Sequence, residues 1–145
     1  MRFWDSSAVV PLLVAESSSA AVMREYEIDP EVVAWWATEA ECVSALARLE
    51  REGSLTASSM GQGLRRLESL ARAWREVQPV RAVRATAIRL LRVHPLRTAD
   101  ALQLGAAIVA SEDHPATLQL VTLDERLAQA AEREGFAVVN PAEPV

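Results

Sequence analysis

Four acidic residues, Asp5, Glu41, Asp100 and Asp124, stand close to where apolar runs give way to helical patterns. The first follows Met1-Arg2-Phe3-Trp4 and precedes Ser6-Ser7-Ala8-Val9-Val10-Pro11-Leu12-Leu13, which reads as a short buried strand turning into an apolar helix. In open α/β sheets, ligands bind outside the carboxyl ends of the strands. Carboxylates gathered at such an edge repel one another, and a divalent cation relieves the repulsion. Oxygen donors favour Mg²⁺ or Mn²⁺ over zinc. The spacing therefore predicts that these four side chains converge to hold divalent metal.

Each acid also has an ordinary structural reading. Thr38-x-x-Glu41 and Thr122-x-x-Glu125 fit capping boxes,. Asp100 and Asp124 fall in first helical turns, where the helix dipole favours negative charge, and Asp5 could cap the first helix. Two features favour the metal reading. Asp5 and Asp100 adjoin strongly apolar segments, and an isolated buried carboxylate is costly unless it is paired or protonated. The chain also has no Lys, and no Arg follows Asp5 in its motif.

Other chemistries lack their residues. His94 and His114 are the only histidines, and they do not have metal-ligand spacing. There is no Gly-x-Ser-x-Gly elbow, and a P-loop is impossible without its Lys,. Cys42 is the only cysteine, which excludes an intramolecular disulfide and a multi-cysteine zinc site,. On the apolar face of its helix it reads as core rather than as a nucleophile.

The elements that must position the acids alternate in type. Strands are predicted at Phe3–Trp4, Val32–Trp36, Thr117–Thr122 and Phe136–Val139, with Glu76–Pro79 as an edge strand or linker,. Helices are predicted over Ser6–Ala15, where Pro11 must sit early or kink the chain, and from Ser17 to about Tyr26,. A third runs from Thr38 to a stop at Gly53, with Val43, Leu46 and Leu49 as its apolar stripe, and Glu39 aligns with that stripe,. Further helices are expected over Ser59–Arg75, Val80–Val93, from Thr98 as a buried, nearly all-apolar helix, and Glu125–Glu134 closed by Gly135. Trp35 and Trp36 read as core, and Asn140-Pro141 as the end of the fold. Alternating strands and helices imply a parallel sheet covered on both faces.

At 145 residues, half of them hydrophobic, the chain is expected to form one domain with a sizeable core,. The longest apolar run, Ala8–Ala15, is too short to span a bilayer, so a soluble cytoplasmic protein is expected,. The net charge of −5 conceals a segregation. Residues 65–97 carry nine Arg against two acids, whereas both flanks are acidic. An arginine-dense middle suggests a surface for an anionic partner, although solvated helix faces would look the same.

Four stretches together resemble the PIN-domain ribonucleases, and most closely the VapC toxins of type II toxin–antitoxin pairs. They are Phe3-Trp4-Asp5-Ser6-Ser7-Ala8-Val9-Val10, Thr38-Glu39-Ala40-Glu41-Cys42-Val43-Ser44-Ala45-Leu46-Ala47-Arg48, Ala99-Asp100-Ala101-Leu102-Gln103-Leu104-Gly105-Ala106-Ala107 and Leu120-Val121-Thr122-Leu123-Asp124-Glu125-Arg126-Leu127. Their order and spacing match over essentially the whole chain. The resemblance implies a PIN-like three-layer α/β/α domain with a central parallel sheet of four to five short strands. It also implies that Asp5, Glu41, Asp100 and Asp124 are the catalytic quartet, with Ser6 or Ser7 as the hydroxyl that follows the first acid. Asp5, Asp100 and Asp124 would bind Mg²⁺ or Mn²⁺, and Glu41 would be a ligand or would position the attacking water. Arg65, Arg66, Arg72 and Arg97 are candidates to bind RNA phosphates. The expected partners are RNA, a small VapB-like antitoxin and a second copy in a homodimer. Two other readings compete with this one: a receiver-like Mg²⁺-binding signalling module, disfavoured by the missing Lys, and an inactive PIN-like binding domain.

Overall fold

The side chains of Phe3 and Trp4 are fully buried in opposite cores, on the two faces of strand β1 (Arg2–Trp4). A strand buried on both faces must be apolar almost throughout, which is why so short a run suffices as a signal. The computed structural model describes residues 1–142. Four more strands follow: β2 (Val32–Trp35), β3 (Arg75–Val77), β4 (Gln119–Val121) and β5 (Val138–Val139). All pair in parallel in the order β3-β2-β1-β4-β5. Phe3 stands opposite Val33 on one side and Leu120 on the other.

Helices α1 (Ser6–Leu13), α2 (Ser19–Ile28), α3 (Thr38–Arg51) and α4 (Ala57–Ala73) cover one face, packing on Trp4, Ala34 and Val121. Helices α5 (Arg81–Val93), α6 (Thr98–Ala110) and α7 (Glu125–Arg133) cover the other, packing on Phe3, Val33, Trp35 and Leu120. The result is the three-layer α/β/α arrangement that the alternation predicted. Arg2, buried in β1, is tied to Glu25 of α2 at 2.8 Å and to Gln119 of β4 at 2.8 Å. Helix α6 is buried through its middle, from Ala101 to Ile108 with Leu102 partly covered, as its composition predicted, while Thr98 and Ala99 are exposed. At Gly105 it runs so close to α5 that a Cβ would meet the Val83 carbonyl at 3.0 Å. Gly53 and Gly135 end α3 and α7 with φ of +80° and +105°, a conformation that glycine adopts without strain,.

The chain moves outward from β1 through β2 to β3, then returns across the sheet to β4 and β5. Strand order therefore reverses between β1 and β4. The crevice outside the carboxyl ends of two such strands is where an open α/β sheet binds ligands.

Several local expectations are corrected. Thr38 is not a cap: Ala37 is the N-cap of α3, and Thr38 is a fully buried first-turn residue. Neither capping box forms, because Asp124 itself caps α7 by accepting the Leu127 amide at 3.0 Å. The buried stripe of α3 runs through Thr38, Cys42 and Leu46, and leaves Val43 and Glu39 exposed. Trp36 is 53% exposed rather than core. It lies one residue beyond β2, edge-on to Trp35 with ring centroids 6.3 Å apart. Pro11 sits inside α1, two residues before its end. No helix among the described residues is long and apolar enough to cross a membrane.

Candidate active site

Asp5 occupies the turn from β1 into α1, and Asp124 the turn from β4 into α7. Glu41 lies in the first turn of α3 and Asp100 in the first turn of α6. All four line one open cleft of about 310 Å³, together with Ser6, Ser7, Ser44 and Arg48. The topology explains the meeting: two acids sit at the switch point and two at the starts of the helices that flank it.

Asp5 is only 3% exposed. Its carboxylate accepts from the Ser7 amide at 3.3 Å and the Ser7 hydroxyl at 2.9 Å. Burial pushes its pKa up to about 7, against the pull of the Thr122 and Ser7 hydroxyls, and the charge of Asp124 raises it further,. Ser7 in turn accepts from the Leu123 amide at 3.0 Å and lies 3.3 Å from the Thr122 hydroxyl. Thr122 accepts from the Asp124 amide at 3.0 Å. A continuous chain of short polar contacts thus links the turns that carry Asp5 and Asp124.

Glu41 is held from two sides. The Ser6 hydroxyl donates to it at 3.1 Å, and the Gln103 amide donates at 3.2 and 3.3 Å. Burial raises the Glu41 pKa, these donors lower it, and the charge of Asp100 raises it. Asp100 is raised first by burial and then by Asp124, while Arg97 and Arg126 lower it. The carboxylates therefore feel one another in sequence: Asp5 with Asp124, Asp124 with Asp100, and Asp100 with Glu41.

Among the described residues, each carboxylate except Asp100 accepts hydrogen bonds of its own. Among the described residues, no three Asp, Glu, His or Cys side chains are grouped tightly enough to enclose an ion as they stand. The donor set nevertheless suits a hard divalent cation. It is all oxygen, it is crowded with like charge, and burial makes that charge expensive,.

The arginines separate into two groups. Arg48 lines the cleft, and Arg97 and Arg126 act on Asp100. Arg65 and Arg66 line a different, larger and mainly apolar groove of about 600 Å³ between α1, α2 and α4. Arg66 also donates to the Leu13 carbonyl at 2.9 Å, and Arg72 pairs with Glu68 on its own helix. None of Arg65, Arg66 and Arg72 lines the acid cleft. Sequence reasoning assigned no site role to Gln103, Thr122, Arg48 or Arg126. Gln103 had a legible signal, being the only polar residue between Leu102 and Ala110 in an apolar helix. Cys42 is buried core, with its thiol pushed up to about 12 by that burial, and it plays no part in the cleft.

An acid-lined cleft at the switch point of a five-stranded parallel sheet, between two helical layers, defines a PIN-like α/β/α protein. FitAcB from Neisseria gonorrhoeae has this fold, with a TM-score of 0.69 over 99% of this chain and all of its own at 19% identity. So does VapC20 from Mycobacterium tuberculosis, a sarcin-ricin loop cleaving toxin, with a TM-score of 0.66 over 94% of this chain and 96% of its own at 16% identity. No family model matches the sequence. Ribonucleases VapC45 and VapC49 of Mycobacterium tuberculosis are each 30% identical to it over 136 residues, 94% of this chain and 92% of theirs. The chain belongs to the VapC ribonuclease family.

Proposed function

We propose that this protein is a divalent-metal-dependent endoribonuclease, the toxin of a toxin–antitoxin pair, whose cleft formed by Asp5, Glu41, Asp100 and Asp124 is the active site. The observation that carries the reading is the meeting of all four acids in one cleft at the strand-order switch. The two curated relatives are named ribonucleases.

Asp5, Asp100 and Asp124 would hold Mg²⁺ or Mn²⁺ with Glu41 as a further oxygen donor, and Asp5 and Asp124 would exchange present hydrogen bonds for the ion. The ion, when bound, supplies a lowered pKa for the attacking water and stabilises charge on the phosphate. Glu41 would orient the attacking water and take its proton as the water oxygen attacks phosphorus in line; the opposite P–O bond would break and the leaving ribose oxygen would take a proton from solvent. No protein nucleophile is needed. The Ser7 hydroxyl is already committed to Asp5 and Leu123, and the Ser6 hydroxyl to Glu41. Arg48, Arg97 and Arg126 offset the repulsion between the acid cleft and RNA by binding backbone phosphates,.

A small VapB-like antitoxin is the expected partner. Similar folds include a toxin–antitoxin complex from Klebsiella pneumoniae, with a TM-score of 0.67 over 99% of this chain and all of its own at 15% identity. The apolar groove between α1, α2 and α4 is the surface such a partner's apolar side chains would fill. Pairing of two copies into a homodimer is part of the same proposal.

The deciding experiment is cleavage of RNA by the purified protein with Mg²⁺ or Mn²⁺, with EDTA, and in the Asp5→Asn and Asp100→Asn variants. Cleavage should require the ion and be lost in both folded variants. Retained ion-dependent cleavage in both would remove the site assignment.

A further inference from the structure

Gln103 is 1% exposed in a helix whose other buried positions are all apolar. It lies one turn beyond Asp100, on the same face of α6,. Its amide nitrogen donates to the Thr38 hydroxyl at 3.0 Å and to both Glu41 oxygens, at 3.2 and 3.3 Å. Thr38 and Glu41 are themselves one turn apart on α3. One side chain of α6 thus grips a full turn of α3, and joins the helices that carry two of the four acids.

The grip leaves one atom unsatisfied. Among the described residues, the buried Gln103 amide oxygen has no hydrogen-bond partner. Turning the amide over does not help, because its oxygen would then face a carboxylate that only accepts. A buried acceptor without a partner is destabilising, and an apolar residue of similar shape would avoid the penalty. A polar side chain that costs stability at this position needs a compensating role, and among the described residues its hydrogen bonds go to Thr38 and Glu41.

Resting on the metal-nuclease reading above, we propose that Gln103 is a positioning residue that fixes the Glu41 carboxylate, and its offset from Asp100, for ion binding and water activation. The Ser6 hydroxyl holds one oxygen of Glu41 from α1, and Gln103 holds both from α6. Without Gln103, Glu41 keeps one anchor and swings about it. Partners that orient a metal ligand typically change metal affinity or activity by about 10–100-fold when removed.

The test uses the full chain with Gln103→Met, which keeps the shape and removes the donor, and Thr38→Val, which removes the other anchor of the amide. Three quantities are measured: Mn²⁺ affinity by calorimetry without RNA, the unfolding midpoint in EDTA, and kcat and KM on a labelled mixed-sequence RNA oligonucleotide. Gln103→Met should unfold at about the same temperature, because it removes the unpaired amide oxygen while the buried Thr38 hydroxyl loses its hydrogen bond,. It should bind Mn²⁺ about tenfold more weakly and lose about tenfold in kcat with little change in KM. Thr38→Val should move Mn²⁺ affinity and kcat in the same direction by a smaller factor. A lowered midpoint with unchanged Mn²⁺ affinity and kcat would make Gln103 a structural brace only and overturn the proposal, as would unchanged Mn²⁺ affinity in both variants. A wild-type protein that binds Mn²⁺ but cleaves no RNA would overturn the nuclease reading instead, and the Mn²⁺ comparison would still decide the role of Gln103.

Discussion

The Ser7 hydroxyl accepts the Leu123 amide at 3.0 Å, across 116 residues of sequence. The same hydroxyl donates to Asp5 at 2.9 Å. A single oxygen therefore fixes the turn after β1 to the turn after β4, and orients the most buried of the four acids between them.

Replacing Ser7 by Ala removes both functions at once. The Leu123 amide loses its acceptor, and because that donor is only part-buried the cost should be about 1 kcal/mol, the low end for an unmade hydrogen bond,. Asp5 loses a donor while remaining buried. Ser7→Ala should therefore lower both stability and cleavage. Ser6→Ala, which loses only a donor to Glu41, should lower cleavage with a smaller stability effect. Urea unfolding together with initial cleavage rates separates the two variants.

A second network lies away from the cleft. Glu134, at the end of α7, accepts from Arg89 at 2.7 Å and contacts His94 at 2.7 Å. The Arg89 hydrogen bond outweighs partial burial and, with His94, holds the Glu134 carboxyl below the usual 4.5. A depressed carboxylate contributes stability above its unfolded pKa and loses it as the pH falls through the folded one. Glu134→Gln should therefore be less stable than wild type at neutral pH. The two should converge in acid, once the pH has passed below the depressed value. Because Arg89 is half exposed, the neutral-pH difference should not exceed about 1 kcal/mol,. Chemical unfolding across the acid range tests this directly.

The adjacent tryptophans should respond very differently to truncation. Trp35 is 4% exposed and packs in the core beside Phe3, whereas Trp36 is 53% exposed. Trp35→Ala should cost about 3–5 kcal/mol. Trp36→Ala should fall within about 0.5 kcal/mol, as surface changes usually do. Equal losses from the two would show that something in solution covers Trp36.

That contrast marks where the sequence was legible. Val32–Trp35 announces a buried strand because a parallel strand between two helical layers must be apolar on both faces. Nothing in the run says which tryptophan is the last to be covered, since that depends on where the sheet edge falls. The acids could be picked out by their positions at element ends. Their neighbours could not, because hydrogen bonds such as Ser7 to Leu123 and Gln103 to Glu41 join residues 116 and 62 apart. Thr38 shows the limit of local pattern. Its spacing to Glu41 fits a capping box, yet tertiary packing draws Thr38 into the core and gives Glu41 to Gln103 and Ser6. The arginine-rich middle was legible as charge but not as a surface, because a helix distributes its arginines around its axis.

The two arginine groups make opposite predictions for RNA binding. Removing one cation that neutralises a phosphate of a single strand lowers the slope of log affinity against log salt by about 0.7. If Arg48, Arg97 and Arg126 each meet one phosphate at the acid cleft, replacing all three by Gln should reduce the slope by about 2 and weaken binding at every sequence alike. Replacing Arg65, Arg66 and Arg72 should leave the slope unchanged, because they line the apolar groove or pair within α4. Fluorescence anisotropy of a labelled RNA in EDTA, over a range of salt concentrations, measures both slopes without cleavage. If the slope moved with the α4 arginines instead, RNA would have to cross the groove assigned to the antitoxin. The two partners would then compete for the same surface rather than meet only at the acids.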